Sequence, residues 1–274
     1  MRPTHRFLAE DHEFYLDDVD ERATDRIDEL LDDGFLGVAI DVPFEVDTGT
    51  HATLPVLGVF ARPADQRANF TDNAMVVVMD PAGLGFLVEP ALRSEQAEDE
   101  EDFSEGTGVV AEPFMFDARE CVPGLPWGRG RVRLYVVHQG DVSDGIAVEF
   151  SGADFGPLSS PELLQSIAGA PAPDPDGSLL RAPDKATTQP GATVLLSGTV
   201  PEDSSQVVHL LALGPAPSPF SIAVQPAADG SFAVNMLGDN ALPKAPGTWH
   251  LYAFSGDAVH GPVTIELEAG SEPW

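Results

Sequence analysis

The sequence predicts a mostly β protein: two tandem antiparallel β-sandwiches behind a short N-terminal helical arm. Three observations carry this. Apolar runs are short, rich in Val and Phe, and punctuated by 26 Gly and 25 Pro, a texture that suits strands and turns rather than helices. A Pro-rich stretch near residue 170 divides the 274 residues into two parts of ordinary domain size. Each part then ends in the same pattern, an aromatic-bearing strand that turns at Gly-Asp into a last strand. Hydrophobic residues make up 43% of the chain, enough for two cores.

Residues 1–34 read as an acidic arm with one helix. Asp18 and Glu21 have capping-box spacing, and Val19, Ala23, Ile27, Leu30 and Leu31 then fall on one helical face. Gly34 occupies the C′ position that ends such a helix. The first sandwich is expected over 35–152, with strands at 35–46, 53–61, 74–79, 85–90, 109–116, 132–138 and 145–150. In the connection, 153–179, Ser160 and Pro161 read as the start of a short helix with Leu163, Leu164 and Ile167 on its apolar side. A Pro-rich linker follows it. The second sandwich is expected over 180–274, with strands at 193–200, 207–213, 221–225, 231–236, 247–254 and 263–267. Asp229-Gly230 has the chemistry of a hairpin turn between two of them.

The repeat is specific enough to align. Gly130-Arg-Val-Arg-Leu-Tyr135 and Gly247-Thr-Trp-His-Leu-Tyr252 each run on to Gly-Asp, then to Val148-Glu-Phe150 and Ile265-Glu-Leu267. Alternation sets Val132, Leu134 and Val136 on one face of the first strand, and Trp249, Leu251 and Ala253 on one face of the second. Further upstream, the segments starting at Gly108 and Gly230 also align, more weakly.

The second region, with PGATVLLSGTV, VVHLLAL, ADGSFAVNM, PGTWHLYAFSGD and PVTIEL, resembles bacterial immunoglobulin-like and fibronectin type III-like sandwich domains. The resemblance covers 180–269 and is weaker over 35–152, where it rests on the last hairpin. It implies recognition, spacing or assembly, and it brings no catalytic residues.

Charge narrows the function. Forty-five acidic side chains against 14 basic ones give a net charge of -31, which argues against binding nucleic acid or anionic lipid. Only two of the basic residues are lysines, Lys185 and Lys244, which fits an acidic or high-salt proteome. No run of about 18 apolar residues exists, so membrane insertion is not expected. Glu10, Asp11 and Glu13 stand where a signal peptide would be apolar. The expected location is therefore a particle, or a cell surface reached by non-classical assembly, with the cytoplasm as the remaining choice.

Chemical motifs are sparse. Cys121 is the single cysteine, which excludes an internal disulfide. Glu95, Glu98, Asp99, Glu101 and Asp102 form a carboxylate run that could hold Ca²⁺. The run lacks the alternating ligands and the Gly of a calcium loop, so a solvated loop tip is the preferred reading and no cofactor is expected. Neither a nucleophile elbow nor a phosphate loop is present, so the chain is read as no enzyme. Trp127, Trp249 and Tyr252 are candidates for a ligand or contact surface, with core packing as the competing reading.

These readings converge on a non-enzymatic structural or interaction subunit of a larger assembly: a virion decoration or tail component, an injection particle, or a surface filament or coat. Its partners would be other protein subunits, alike or different. A carbohydrate- or ligand-binding accessory protein with immunoglobulin-like modules is the alternative, its partner a glycan. An unrecognised hydrolase is the second alternative.

Overall fold

The computed structural model describes residues 30, 32–63, 74–80, 85–91, 108–125, 127–128, 130–138, 140–152, 158, 163–166, 180–188, 194–200, 207–215, 219–236, 245–256 and 258–270. Among them the protein is mostly β, with very little helix. The chain divides into two compact units, Met1–Asp80 with Leu87–Leu158, and Pro81–Phe86 with Ser159–Trp274.

The first unit contains β1 (Gly37–Asp41), β2 (Glu45–Asp47), β3 (Pro55–Pro63), β4 (Ala74–Met79), β5 (Phe86–Pro90, all but its first residue) and β6 (Val109–Asp117). A single helical turn, α1 (Ala118–Cys121), then leads to β7 (Gly130–His138), β8 (Asp141–Val142) and β9 (Ile146–Ser151). One sheet has the order β1-β3-β6; the other has the order β2-β9-β7-β4-β5, with β8 pairing β7. The sheets share a core in which Val38, Ile40, Val56, Phe60 and Phe114 meet Val76, Val78, Leu134, Val136 and Val148. Each fully buried aliphatic side chain contributes about 1.5–3 kcal/mol.

The second unit contains β10 (Leu163–Gln165), β11 (Leu180–Arg181), β12 (Lys185–Thr188), β13 (Leu195–Thr199), β14 (Val208–Leu213) and β15 (Phe220–Gln225). It ends with β16 (Ser231–Asn235), β17 (Gly247–Ser255) and β18 (Ala258–Ala269). Its sheet orders are β11-β13-β16 and β12-β18-β17-β14-β15-β10. Leu180, Leu196, Phe232 and Val234 meet Leu210, Trp249, Leu251 and Ile265 between them.

Apart from β8 and β10, the two units have one topology. In each, the first, third and sixth strands make the small sheet, and the second strand lies parallel to the last. The agreement extends to register. Gly130 pairs Phe150 and Val132 pairs Val148, as Gly247 pairs Leu267 and Trp249 pairs Ile265. Gly58 faces Phe114 as Gly198 faces Phe232. A Cβ on Gly58 would come within 2.1 Å of the Phe114 ring, so that pair requires the bare backbone.

One side-chain bond is duplicated as well. The Asp117 carboxylate accepts from Leu54 N at 2.9 Å, and the Asn235 amide oxygen accepts from Val194 N at 3.2 Å. Both last hairpins are also irregular at the matching tyrosine. Tyr135 and Val136 lie against 143–145, where Ser143 Oγ accepts from Val136 N at 2.9 Å; the register of β17 on β18 shifts between Leu251 and Ala253. The register equates Gly230 with Glu112, so the expected alignment of Gly230 with Gly108 is corrected.

Several local expectations change. The single strand expected over 35–46 breaks into β1 and β2, which belong to different sheets. Val42-Pro43 makes the break, since proline cannot donate to a ladder. The short helix expected after Ser160 is corrected: Leu163–Gln165 is strand β10, parallel to β15, with Leu164 packed on the core. The open backbone of an edge strand outcompetes one isolated turn of helix, which nucleates poorly. Ser166 Oγ also accepts from Ala233 N at 2.9 Å, bringing the segment to β16 as well. Asp229-Gly230 does make a tight turn, with Gly230 at φ 77°, but it sends β15 and β16 into different sheets and joins no hairpin.

The helix expected in the arm lies largely outside the described residues. Leu30 and Asp32 are helical, Gly34 has φ 70°, and Phe35 N donates to Leu30 O at 2.9 Å. A six-to-one bond around a left-handed glycine is a Schellman stop.

Candidate interaction surfaces

The residues singled out as a contact surface are corrected by their burial. Trp249 and Tyr252 are 0% exposed and Trp127 is 9% exposed, so no ring face is free to form a platform. Trp249 Nε1 donates to Ala245 O at 3.0 Å, and a Cβ on Gly214 would lie 2.2 Å from its ring. Trp127 packs on Phe150 with ring centroids 5.4 Å apart and carries the Arg119 guanidinium at 4.5 Å. Trp127 and Trp249 also belong to the cores of different units. A β-rich core takes large aromatic rings because each buries much apolar area and its N–H can find a local carbonyl.

Glu95, Glu98, Asp99, Glu101 and Asp102 lie outside the described residues. Among the described residues no group of three or more His, Cys, Asp or Glu side chains is placed to hold a metal ion. Cys121 is buried, its thiol donating to Ala91 O at 2.7 Å.

A polar cluster that sequence reasoning missed sits at one end of the first unit. Val56, Gly58, Phe60 and Arg62 share the inward face of β3 by alternation. Arg62 is 7% exposed, its Nη2 donates to Glu112 Oε1, and its guanidinium lies 5.1 Å from the Phe60 centroid. Phe60 in turn meets the buried His138 ring at 4.4 Å. Arg62 Nε and Nη1 have no acceptor among the described residues. Buried donors left unmet cost about 1–3 kcal/mol each. The matching inward positions of the second unit are Val200, Gly230 and Ser255 opposite Phe60, Glu112 and His138. The available signal was one charged residue in phase with an apolar inward face.

A second missed surface is the outward face of β1-β3-β6. Ala39, Leu57, Val59, Ala61 and Ala111 are buried there in a cluster of their own with Leu30. The signal was a strand apolar on both faces, Pro-Val-Leu-Gly-Val-Phe-Ala over 55–61, where alternation should have given polar residues.

No protein-family model matches the chain, and no curated protein matches it. Among solved structures, a pullulanase from Anoxybacillus sp. LM18-11, crystallised with maltotriose, aligns with a TM-score of 0.20 and 8% identity. The alignment covers 81% of this chain and 24% of that one. The chain thus spans about a quarter of that protein, and a likeness of this size carries no argument about fold or activity. No described helix is long and apolar enough to cross a membrane.

Proposed function

We propose that the chain is a non-enzymatic interaction subunit of a larger assembly, built from two immunoglobulin-like sandwiches. One observation carries the reading: a single strand topology and register occur twice, while the outer face of the small sheet carries Leu57 and Val59 in one copy and Ser197 and Thr199 in the other. Divergence of that kind suits a scaffold whose outer positions select partners. The immunoglobulin-like assignment is supported by the small three-stranded sheet facing a larger one, and by the second strand running parallel to the last. Aromatic rings sunk in the cores give the glycan-binding alternative no support here. The net charge of -31 supports a protein suited to concentrated salt, where repulsion among carboxylates is screened.

Light scattering on size-exclusion fractions, run from low to molar salt, tests this. A defined oligomer or filament is expected, with negative-stain images to match. A strict monomer at every salt and protein concentration would sink the assembly reading.

A further inference from the structure

The outward face of β1-β3-β6 is buried although it points away from the core. Val59 and Ala61 are 1% exposed and Ala111 is 0% exposed. Ala39 pairs Val59, and Ala61 pairs Ala111, so the patch crosses all three strands, a width of roughly 10 Å at the usual strand spacing. Leu30 and Phe35 pack on it, but two side chains do not seal three strands. Met115, beside Leu57, is 37% exposed and marks where cover stops. Leu30 is also where the described chain begins, with 29 residues before it. The apolar positions Val19, Ala23 and Ile27 precede Leu30 at helical spacing. The second unit supplies the control. Ser197 and Thr199 hold the places of Leu57 and Val59, so two polar side chains stand where the first unit has two apolar ones.

We propose that the outward face of β1-β3-β6 is the docking seat for residues 18–29 of the same chain, which bind as an acidic amphipathic helix through Val19, Ala23 and Ile27. Small residues in the seat, Ala39, Ala61 and Ala111, let a helix approach closely, while Leu57 and Val59 fill the spaces between its side chains. The Schellman stop at Gly34 turns the chain from the helix into β1. The seat goes beyond the assembly reading and does not depend on it, because an arm can be seated in a monomer.

Arg22 and Arg26 make the test direct, since trypsin cuts after each only when the arm is open. In the full chain, cleavage there is expected about ten-fold slower than in a Leu57→Ser/Val59→Thr variant, because cleavage follows the population of the open form. That variant installs the residues the second unit already tolerates. Ile27→Asp releases the arm without touching the sheet, and keeps the test alive if the double variant fails to fold. Equal rates in the parent and in Ile27→Asp would overturn the proposal. Protection that grows with protein concentration would overturn the same-chain assignment and give the seat to the arm of a second copy. Light scattering separates these outcomes from failure of the assembly reading.

Discussion

Leu57 and Ser197 occupy one place in two copies of a single topology, as do Val59 and Thr199. Several inward positions are shared: Leu134 and Leu251, Phe114 and Phe232, Gly58 and Gly198 are the same residue in both units, and Val132 with Trp249 and Val148 with Ile265 stay apolar. The comparison separates two kinds of constraint. Inner positions answer to the facing sheet, which both copies share, and outer positions answer to whatever covers them. The first unit also carries an inward charge pair, Arg62 with Glu112, and the second unit has Gly230 in the place of Glu112. Burying a charge needs a compensating partner, which Glu112 supplies to Arg62 in the first unit.

The strongest way to break the comparison is to empty the cores. Trp249→Ala should destabilise the second unit by about 4 kcal/mol, and Trp127→Ala the first by about 3 kcal/mol because its ring lies nearer the surface. Urea unfolding monitored by circular dichroism checks both. A loss below about 1 kcal/mol at Trp249 would contradict core packing.

A smaller effect sharpens the match at Asp117. Replacing it by Ala leaves the Leu54 and Arg119 amides without their acceptor and should cost about 1–2 kcal/mol. Asp117→Asn should cost less than about 0.5 kcal/mol, because Asn235 already performs the equivalent task at Val194. Similar losses in both variants would show that the two bonds are not equivalent.

The smallest expected effect has no counterpart in the first unit. Burial holds the His260 imidazole below its ordinary 6.5, favouring the neutral ring in the folded state. The unfolded chain therefore binds the proton more readily, so the contribution is intact above 6.5 and is lost as pH falls toward the lowered folded value. His260→Gln should flatten the acid side of the stability profile. An unchanged slope between pH 7 and pH 5 would count against it.

Local pattern made the strands legible where each carries its own signal. The run 74–79 was found with the bounds it has, because six apolar residues between turn formers have no helical alternative of useful length. Leu163 and Leu164 were misread for the converse reason. The tripeptide Glu-Leu-Leu occurs at 29–31 and at 162–164; Leu30 is helical, whereas Leu163 and Leu164 are extended. What separates them is β15, an edge some 60 residues further on, which no local window contains. The aromatic surface failed similarly: Trp127, Trp249 and Tyr252 look alike in a ligand platform and in a core, and only burial distinguishes the two. Arg62 was passed over because its inward phase is visible only once β3 is fixed in register.

The parallel pairing of β2 with β9, and of β12 with β18, has a mechanical consequence. Each unit is entered near the strand along which it is left. A pull on the two chain ends would slide those strands past each other and load their hydrogen bonds together, whereas opposite-running end strands would peel apart one bond at a time. Single-molecule extension should therefore show two separate, abrupt yielding events, one for each unit.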